Sequence, residues 1–229
     1  MHFNVITLFP QMVQQALSYG VIGKAIEAGL LTLSCYNPRD YAENKHNRVD
    51  DKPFGGGSGM VMMYDPLLRA LDSVKQSGEV GPVVFMSPQG QPMKQADCNR
   101  WASKGTLTLL CGRYEGVDQR FIERHVDEEM SIGDYVISGG EMAACVAIDA
   151  VGRQVEGVLG SDESATTDSF MGGVLGYPQY TRSEILGQTG VPDVLLSGHH
   201  KAIQQWREEQ SLSLTKRRRP DLLEGTSEG

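Results

Sequence analysis

Cysteine is scarce in this sequence, and no two cysteines are close in the chain. Cys35, Cys98, Cys111 and Cys145 are the four among 229 residues, and none belongs to a C-x-x-C pair. Such spacing indicates neither a disulfide framework nor a zinc site. We therefore expect a protein of a reducing, cytoplasmic compartment, with no bound metal suggested by its cysteines.

A long apolar run is also missing. A membrane-spanning helix needs about 18 consecutive apolar residues, and the longest candidate, EMAACVAIDAV, is interrupted by Asp149. The opening residues MHFNVITLFPQMV contain no basic stretch and no cleavage site, and they are typical of a strand rather than of a signal peptide. We expect a soluble protein.

The common phosphate-binding motifs are absent too. The chain contains neither G-x-x-x-x-G-K-[ST] nor a G-x-G-x-x-G that follows a strand. This disfavours an ordinary kinase or NAD-dependent dehydrogenase. The glycine cluster DDKPFGGGSGMVMM at 50–63 has no P-loop lysine, and a flexible turn or a substrate-facing loop explains it equally well.

Positive charge is in deficit, but it is unevenly distributed. The formal net charge is −8, from 21 Lys and Arg against 29 Asp and Glu. Taken alone, this disfavours a nucleic-acid partner, because phosphate contacts depend on Lys and Arg. Residues 199–221, however, carry six Lys or Arg and three acids. A polyanionic substrate and a solvated helix with a basic end both explain this segment.

Short apolar runs alternate with helical patterns through the first two thirds of the chain. The runs FNVITLF, LTLSCYN, PVVFMS, TLTLLCG and YVIS predict strands, and segments such as QMVQQALSYG and VDQRFIERHV predict helices. This alternation is typical of an α/β domain, whose parallel sheet has helices on both faces.

The composition changes after residue 158. Residues 158–176 are rich in Gly, Ser, Thr and Asp and show no period, whereas the segment around Ile203 and Trp206 has a helical pattern. We predict an α/β domain at 1–159, a mobile linker at 160–173 and a small helical C-terminal domain at 174–229.

Three loops follow predicted strands and are candidates for a ligand site. They read SPQG at 87–90, GRYEGVD at 112–118 and SGGE at 138–141. Because the carboxyl ends of parallel strands share one edge of the sheet, ligands bind there. The pattern S-x-x-E also predicts a capping box, in which Ser138 and Glu141 fix a helix start. Asp118 and Glu115 are alternatives for capping the helix that begins near Val117.

Taken together, these segments and others along the chain resemble one family, the bacterial tRNA (guanine-N1)-methyltransferases of the SPOUT class. The resemblance rests on segments that occur in order along nearly the whole chain: ITLFPQM, VDDKPFGGGSGMVM, SPQGQP, LLCGRYEGVDQR, SIGDYVISGGE, GVLG, DSF, YPQYTR, VPDVLLSGHH, WR and RRRPDLL. It implies a deep trefoil knot in the α/β domain, which is an exception to the usual rule on threaded chains. It also implies a homodimer, a tRNA substrate and S-adenosylmethionine as cofactor, with Mg²⁺ as a further candidate.

The same resemblance implies the site residues. The cofactor contacts fall on the three loops already selected, namely Phe85, Met86, Ser87, Pro88, Gln89, Gly90, Gly112, Arg113, Tyr114, Glu115, Gly116, Ile132, Gly133, Asp134, Tyr135, Val136, Ile137, Ser138, Gly139 and Gly140. The candidate tRNA contacts are Ser169, His199, Lys201, Arg217, Arg218 and Arg219.

Catalytic roles are implied for Asp168 and Arg153. The resemblance implies that the methylated atom is N1 of the guanine immediately 3′ of the anticodon. This nitrogen carries a proton at neutral pH, so its methylation needs a base. The resemblance assigns that role to Asp168, and it assigns to Arg153 the stabilisation of charge on O6. Read without the resemblance, Asp168 is an ordinary turn residue and Arg153 a cation at a helix end.

The chain departs from the family pattern near the expected tRNA-facing segment. Gly176 stands where an acid is common, Gln179 where histidine is common and Ser183 where proline is usual. Adjacent His199 and His200 point about 100° apart on a helix, so one metal ion is not expected to take both.

Two other functions compete with base methylation. A related knotted enzyme that methylates the ribose 2′-hydroxyl would not need Asp168 as a base. A non-catalytic RNA-binding module would not need the catalytic pair, and the presence of Asp168, Arg153 and all three loops disfavours it.

Overall fold

The computed structural model describes residues 1–160 and 168–224, and the chain divides into two compact units, Met1–Gly160 and Ser161–Gly229. In the first unit the strands are β1 His2–Ile6, β2 Thr32–Tyr36, β3 Asp50–Asp51, β4 Val61–Met62, β5 Val83–Pro92, β6 Thr106–Cys111 and β7 Glu128–Ser131. The helices are α1 Pro10–Ala16, α2 Gly20–Glu27, α3 Tyr64–Ser77, α4 Gln95–Ala102, α5 Gln119–His125 and α6 Glu141–Gly152, with a short 3₁₀ helix at Pro38–Tyr41. None of the helices in the described ranges is long and apolar enough to cross a membrane.

Five strands form a parallel sheet in the order β2-β1-β6-β5-β7. β1 lies at its interior, where His2 pairs with Thr32 on one side and with Thr106 on the other. β3 and β4 form a separate antiparallel pair. The predicted α/β class with a parallel sheet is confirmed.

Helices cover both faces of this sheet. Successive side chains of a strand point to opposite faces, and β5 follows this rule. Val84 and Met86 pack in a core with α1, α2, α4 and α6, whereas Val83 and Phe85 pack in a second core with α3 and α5. This two-sided burial explains why the strands read as nearly continuous apolar runs.

β5 does not end where its apolar run ends. Met86 and Gln91 both pair with Met130 of β7, so residues 87–90 bulge out of the ladder while the strand continues to Pro92. The loop predicted at 87–90 is therefore not a separate loop after the strand but a bulge within it. A Cβ atom at Gly90 would lie 2.4 Å from the Met130 nitrogen, so only glycine permits this close passage over β7.

The strand predicted at 135–138 is also wrong. The fifth strand of the sheet is β7, whose sequence EEMS carries too few apolar residues for a clear strand pattern. Its Glu128 is stabilised by two 2.7 Å hydrogen bonds from Arg100 and one of 3.2 Å from Trp101. The Arg100 bonds hold the pKa of Glu128 below its usual value. Residues 132–140 follow β7 as an irregular segment.

The second unit contains one long helix. Its described helices are α7 Asp193–Leu196, α8 His200–Arg218 and α9 Asp221–Glu224. His199 caps α8, because its Nδ1 accepts a 3.2 Å hydrogen bond from the Ala202 amide. Residues 161–167 of the expected linker lie outside the described residues, and the three-part domain division stays a prediction.

Candidate functional site

A cavity of about 240 Å³ lies at the carboxyl end of the parallel sheet. It is formed where the bulge of β5 at 87–90 meets the segments that follow β6 and β7. Its lining consists of Phe85, Met86, Ser87, Pro88, Gly112, Arg113, Tyr114, Glu115, Gly116, Met130, Ser131, Ile132, Gly133, Tyr135, Val136, Ile137, Ser138, Gly139, Gly140 and Ala143. This is the edge where parallel sheets bind their ligands.

Nearly all the residues predicted as cofactor contacts line this cavity. The exceptions are Gln89, Gly90 and Asp134; the first two line a second cavity, of about 480 Å³, together with residues of α5 and β7. Met130, Ser131 and Ala143 line the 240 Å³ cavity without having been predicted. The first two were missed because β7 gave no clear strand pattern. Contact of these residues with a cofactor stays a prediction.

The segment after β6 is held by the chain around β4. The Glu115 amide donates to the Met60 carbonyl at 2.9 Å, the Met62 amide donates to the Gly116 carbonyl at 2.9 Å, and the Asp118 amide donates to the Met62 carbonyl at 3.0 Å. Tyr114 has a φ of 62°, a left-handed conformation that costs a non-glycine residue about 1–3 kcal/mol. These hydrogen bonds maintain that conformation at the cavity wall.

The glycine cluster contributes to the same wall. Gly59 has a φ of 78°, and a Cβ atom there would lie 2.4 Å from the Glu115 side chain. Glycine thus lets the Glu115 side chain, which lines the cavity, lie against the backbone of Gly59. Of the two alternatives for the cap of α5, Asp118 and Glu115, the structure shows Asp118. Its side chain accepts a 3.0 Å hydrogen bond from the Arg120 amide.

Gly140 brings the other two cavity walls together. Its amide donates to the Gly112 carbonyl at 2.9 Å. A Cβ atom at this position would lie 2.8 Å from the Cys111 Cα and 3.0 Å from the Gly112 nitrogen. Since these are backbone atoms that cannot move aside independently, any larger residue would separate the segment after β6 from the start of α6.

A buried ion pair connects the same segments. Glu141 has no exposed surface, and its Oε2 accepts a 2.9 Å hydrogen bond from Arg113 Nε. Its Oε1 accepts from the Thr7 hydroxyl at 2.9 Å. Arg113 also donates from Nη1 to the Ser138 carbonyl at 2.9 Å, and its guanidinium lies 4.6 Å from the Phe9 ring centroid.

The predicted capping box at 138–141 is therefore wrong. Gly140 is the N-cap of α6, and no side chain makes a cap hydrogen bond there. The Glu141 carboxylate instead accepts hydrogen bonds from Arg113 and from the Thr7 hydroxyl, and the bond from Arg113 is charge-assisted at both ends. Glu141 was predicted only as a helix cap, and Thr7 was not predicted to take part in the site.

The cysteines near the site are poor nucleophiles. Burial raises the pKa of Cys145 to about 11, and the nearby Glu141 adds to the effect. Burial likewise raises the pKa of Cys111, the residue before Gly112, and that of Cys35, which reaches about 11. All three thiols stay protonated at neutral pH, so covalent cysteine catalysis is disfavoured.

The two candidate catalytic residues lie in different units. Arg153 is the half-buried C-cap of α6, and its amide donates to the Asp149 carbonyl at 3.1 Å. Asp168 is half-buried in the second unit, where its carbonyl accepts from the Met171 amide at 3.3 Å. Their roles stay predictions.

The candidate tRNA contacts all belong to the second unit. Lys201, Arg217, Arg218 and Arg219 are exposed on α8 or just after it, while Ser169 lies beside Asp168. His199 is exposed and also serves as the cap of α8. Of the positions that depart from the family pattern, Ser183 accepts a 3.0 Å hydrogen bond from the Leu186 amide, and Gln179 is exposed.

Comparison with known proteins assigns the family. A family model described as tRNA (Guanine-1)-methyltransferase TrmD matches residues 1–225. The chain belongs to this family. The expected resemblance is confirmed, and the family is one of enzymes.

Relatives in Pseudomonas are similar over almost their entire length. The tRNA (guanine-N(1)-)-methyltransferase of Pseudomonas fluorescens is 53% identical over 228 residues, which cover 99% of this chain and 91% of the relative. Those of Pseudomonas syringae and Pseudomonas putida are 51% and 52% identical and cover 99% and 98% of the chain, and 91% and 90% of the relatives. All the residues that line the cavity therefore lie within the part of the chain that matches this methyltransferase family.

Proposed function

We propose that this protein methylates N1 of the guanine immediately 3′ of the tRNA anticodon, with S-adenosylmethionine as the methyl donor. The observation that carries the proposal is the cavity at the carboxyl end of the parallel sheet. Its walls are the three segments that also carry the family's sequence motifs. The reaction is placed in the cytoplasm, in agreement with four free thiols.

The lining of the cavity suits this cofactor. Apolar side chains such as Phe85, Ile132 and Ile137 offer apolar surface for an adenine ring, and the glycines in the walls let a ligand approach the backbone closely. Arg113 is neutralised by Glu141, which leaves the Glu115 carboxylate as a negative group at the wall. A negative group there suits a sulfonium cation. When bound, S-adenosylmethionine supplies an electrophilic methyl group.

Asp168 and Arg153 have different roles at the guanine. The Asp168 carboxylate accepts the N1 proton, which frees a lone pair on N1 for the transfer. The planar guanidinium of Arg153 stabilises the negative charge that moves to O6 as the proton leaves. Both functions require the guanine to be held in a fixed orientation relative to the methyl donor. This positioning contributes much of the remaining rate.

A homodimer with a knotted α/β domain completes the proposal. Apolar side chains beside the cavity are exposed in one chain, at 56% for Tyr135, 84% for Val136 and 48% for Met142, as expected for a surface that a second copy covers. The trefoil knot is proposed from the family to which the chain belongs.

Mg²⁺ stays a candidate cofactor. Within residues 1–160 and 168–224, no group of three or more His, Cys, Asp or Glu side chains is placed to hold a metal ion. Proteins usually hold Mg²⁺ through one or two carboxylates together with water and substrate phosphates, which needs no such group.

Transfer of label to tRNA tests the proposal. The protein is incubated with methyl-labelled S-adenosylmethionine and with tRNA transcripts that carry guanine or adenine after the anticodon, and the labelled nucleosides are then identified. We expect 1-methylguanosine from the guanine transcript alone. Label on ribose would indicate the 2′-hydroxyl reaction instead, and equal labelling of both transcripts would contradict the assignment of the target base.

The basic end of α8 is expected to bind tRNA phosphates. Replacing Arg217, Arg218 and Arg219 by glutamine should weaken tRNA binding, and the salt dependence should fall by up to about one unit of slope for each phosphate that is no longer neutralised. Binding curves at several salt concentrations measure both effects.

A control with the same change in net charge separates the loss of phosphate contacts at the end of α8 from the effect of net charge on tRNA binding. Lys24, Lys45 and Lys104 are exposed in the first unit, and their replacement by glutamine removes equal charge. This control should leave the salt slope nearly unchanged. If both triple variants behave alike, the basic end has no specific role in binding.

A further inference from the structure

Residues 168–176, which include Asp168, form a closed loop. The Met171 amide donates to the Asp168 carbonyl at 3.3 Å, and the Phe170 amide donates to the Val174 carbonyl at 2.8 Å. The loop is closed by the Gly176 amide, which donates to the Ser169 hydroxyl at 2.9 Å. Asp168 thus stands at one end of a small hydrogen-bonded unit that ends at Gly176.

Thr215 of α8 joins this loop to the helix through a side-chain hydrogen bond. Its hydroxyl accepts a 2.9 Å hydrogen bond from the Leu175 amide and donates one of 2.7 Å to the Ser211 carbonyl. Thr215 has no exposed surface, although α8 is otherwise largely exposed. A hydroxyl that accepts and donates in this buried position cannot be replaced by an apolar group without leaving a polar atom unsatisfied.

A second contact joins the loop to the basic end of the same helix. The Arg219 guanidinium lies 5.8 Å from the Phe170 ring centroid, within the range of a cation–π interaction. The Arg219 amide donates to the Thr215 carbonyl at 2.8 Å. The loop therefore rests on the helical turn that begins at Thr215 and presents the basic residues at 216–219.

We propose that Thr215 is a positioning residue for the catalytic base, acting through the Leu175 amide to hold the Asp168 loop on the basic end of α8. The inference rests on the proposed function, since it assigns Asp168 as the base. Through this connection, the segment that binds the tRNA phosphates and the segment that carries the base form one structural element. The substrate's backbone thereby orients the group that removes the N1 proton.

Two substitutions at Thr215 test the inference. Thr215→Val keeps the shape of the side chain and removes the hydroxyl, whereas Thr215→Ser keeps the hydroxyl. In single-turnover assays at saturating tRNA and cofactor, Thr215→Val should reduce the methylation rate by about 10- to 100-fold, the range expected from misplacing a catalytic group. Thr215→Ser should remain close to the wild-type rate, and both variants should bind tRNA and cofactor normally.

Hydrogen exchange gives a readout besides activity. In Thr215→Val, peptides that cover 168–176 should exchange faster, while those that cover the first turns of α8 should not change. Ser213→Ala serves as the control, because Ser213 is exposed on the same helix. Normal rates in Thr215→Val would overturn the inference, and so would a rate loss fully explained by weaker tRNA binding.

The same series distinguishes this inference from the proposed function. If the wild-type protein forms no 1-methylguanosine, the proposed function fails. If the wild-type protein is active and Asp168→Asn is inactive, but Thr215→Val retains the full rate, only the positioning role fails.

Discussion

Replacing Asp168 by asparagine is expected to reduce the rate of methyl transfer by about 10²- to 10⁴-fold, the usual contribution of a general base. Asparagine keeps the size of the side chain but cannot accept the N1 proton, so the nitrogen lone pair stays unavailable. Binding of S-adenosylmethionine should be unchanged, because the cavity is built from residues of the first unit. Single-turnover kinetics and equilibrium binding of the cofactor measure the two effects separately.

A matched aspartate controls for the loss of charge. Asp193 is exposed in the second unit, and Asp193→Asn should leave the rate unchanged. The residual activity of Asp168→Asn should rise more steeply with pH than that of the wild type, because hydroxide then replaces the missing base. A fully active Asp168→Asn variant would show that another group removes the proton.

Replacing Arg113 by methionine is expected to cost about 3–5 kcal/mol of unfolding free energy, the loss that follows when one partner of a buried ion pair is removed. Glu141 has no exposed surface, so its carboxylate would remain buried with only the Thr7 hydroxyl as a partner. Such a loss is a large fraction of the stability of a typical domain. Denaturant unfolding at a fixed protein concentration measures it.

Two controls make this prediction specific. Arg48 pairs with Asp51 at the surface, and Arg48→Met should cost about 1 kcal/mol or less, as for exposed pairs in general. The double variant Arg113→Met/Glu141→Leu should be more stable than Arg113→Met, because it leaves no buried charge. A double variant less stable than the single one would show that Glu141 stabilises the protein without Arg113.

The α/β class was predictable because burial on both faces of a parallel sheet requires continuous apolar strands. PVVFM and TLTLLC satisfy that requirement, and they form β5 and β6 in the middle of the sheet. β7 was missed for the converse reason. It is an edge strand, and its Glu128 is stabilised by Arg100 and Trp101 of α4, two residues that sequence spacing does not connect to it.

The three segments of the candidate site were predicted from their place after apolar runs, although only the segment at 112–118 follows the strand predicted for it. The contacts that hold these segments together were not. Arg113 and Glu141 are 28 positions apart and Thr7 and Glu141 are 134 apart, so no local pattern relates them. The local pattern S-x-x-E predicted a cap instead, and the tertiary ion pair overrode it.

The sequence by itself determined the family, the parallel α/β architecture and the segments that form the cavity, because these depend on local composition and on motifs that are contiguous in the chain. Only the tertiary structure decided which side chains support the cavity and where β5 bulges. It also decided that Thr215 contacts the loop that carries Asp168. Those features arise from contacts between distant residues. Their energies depend on burial, which exists only after the chain has folded.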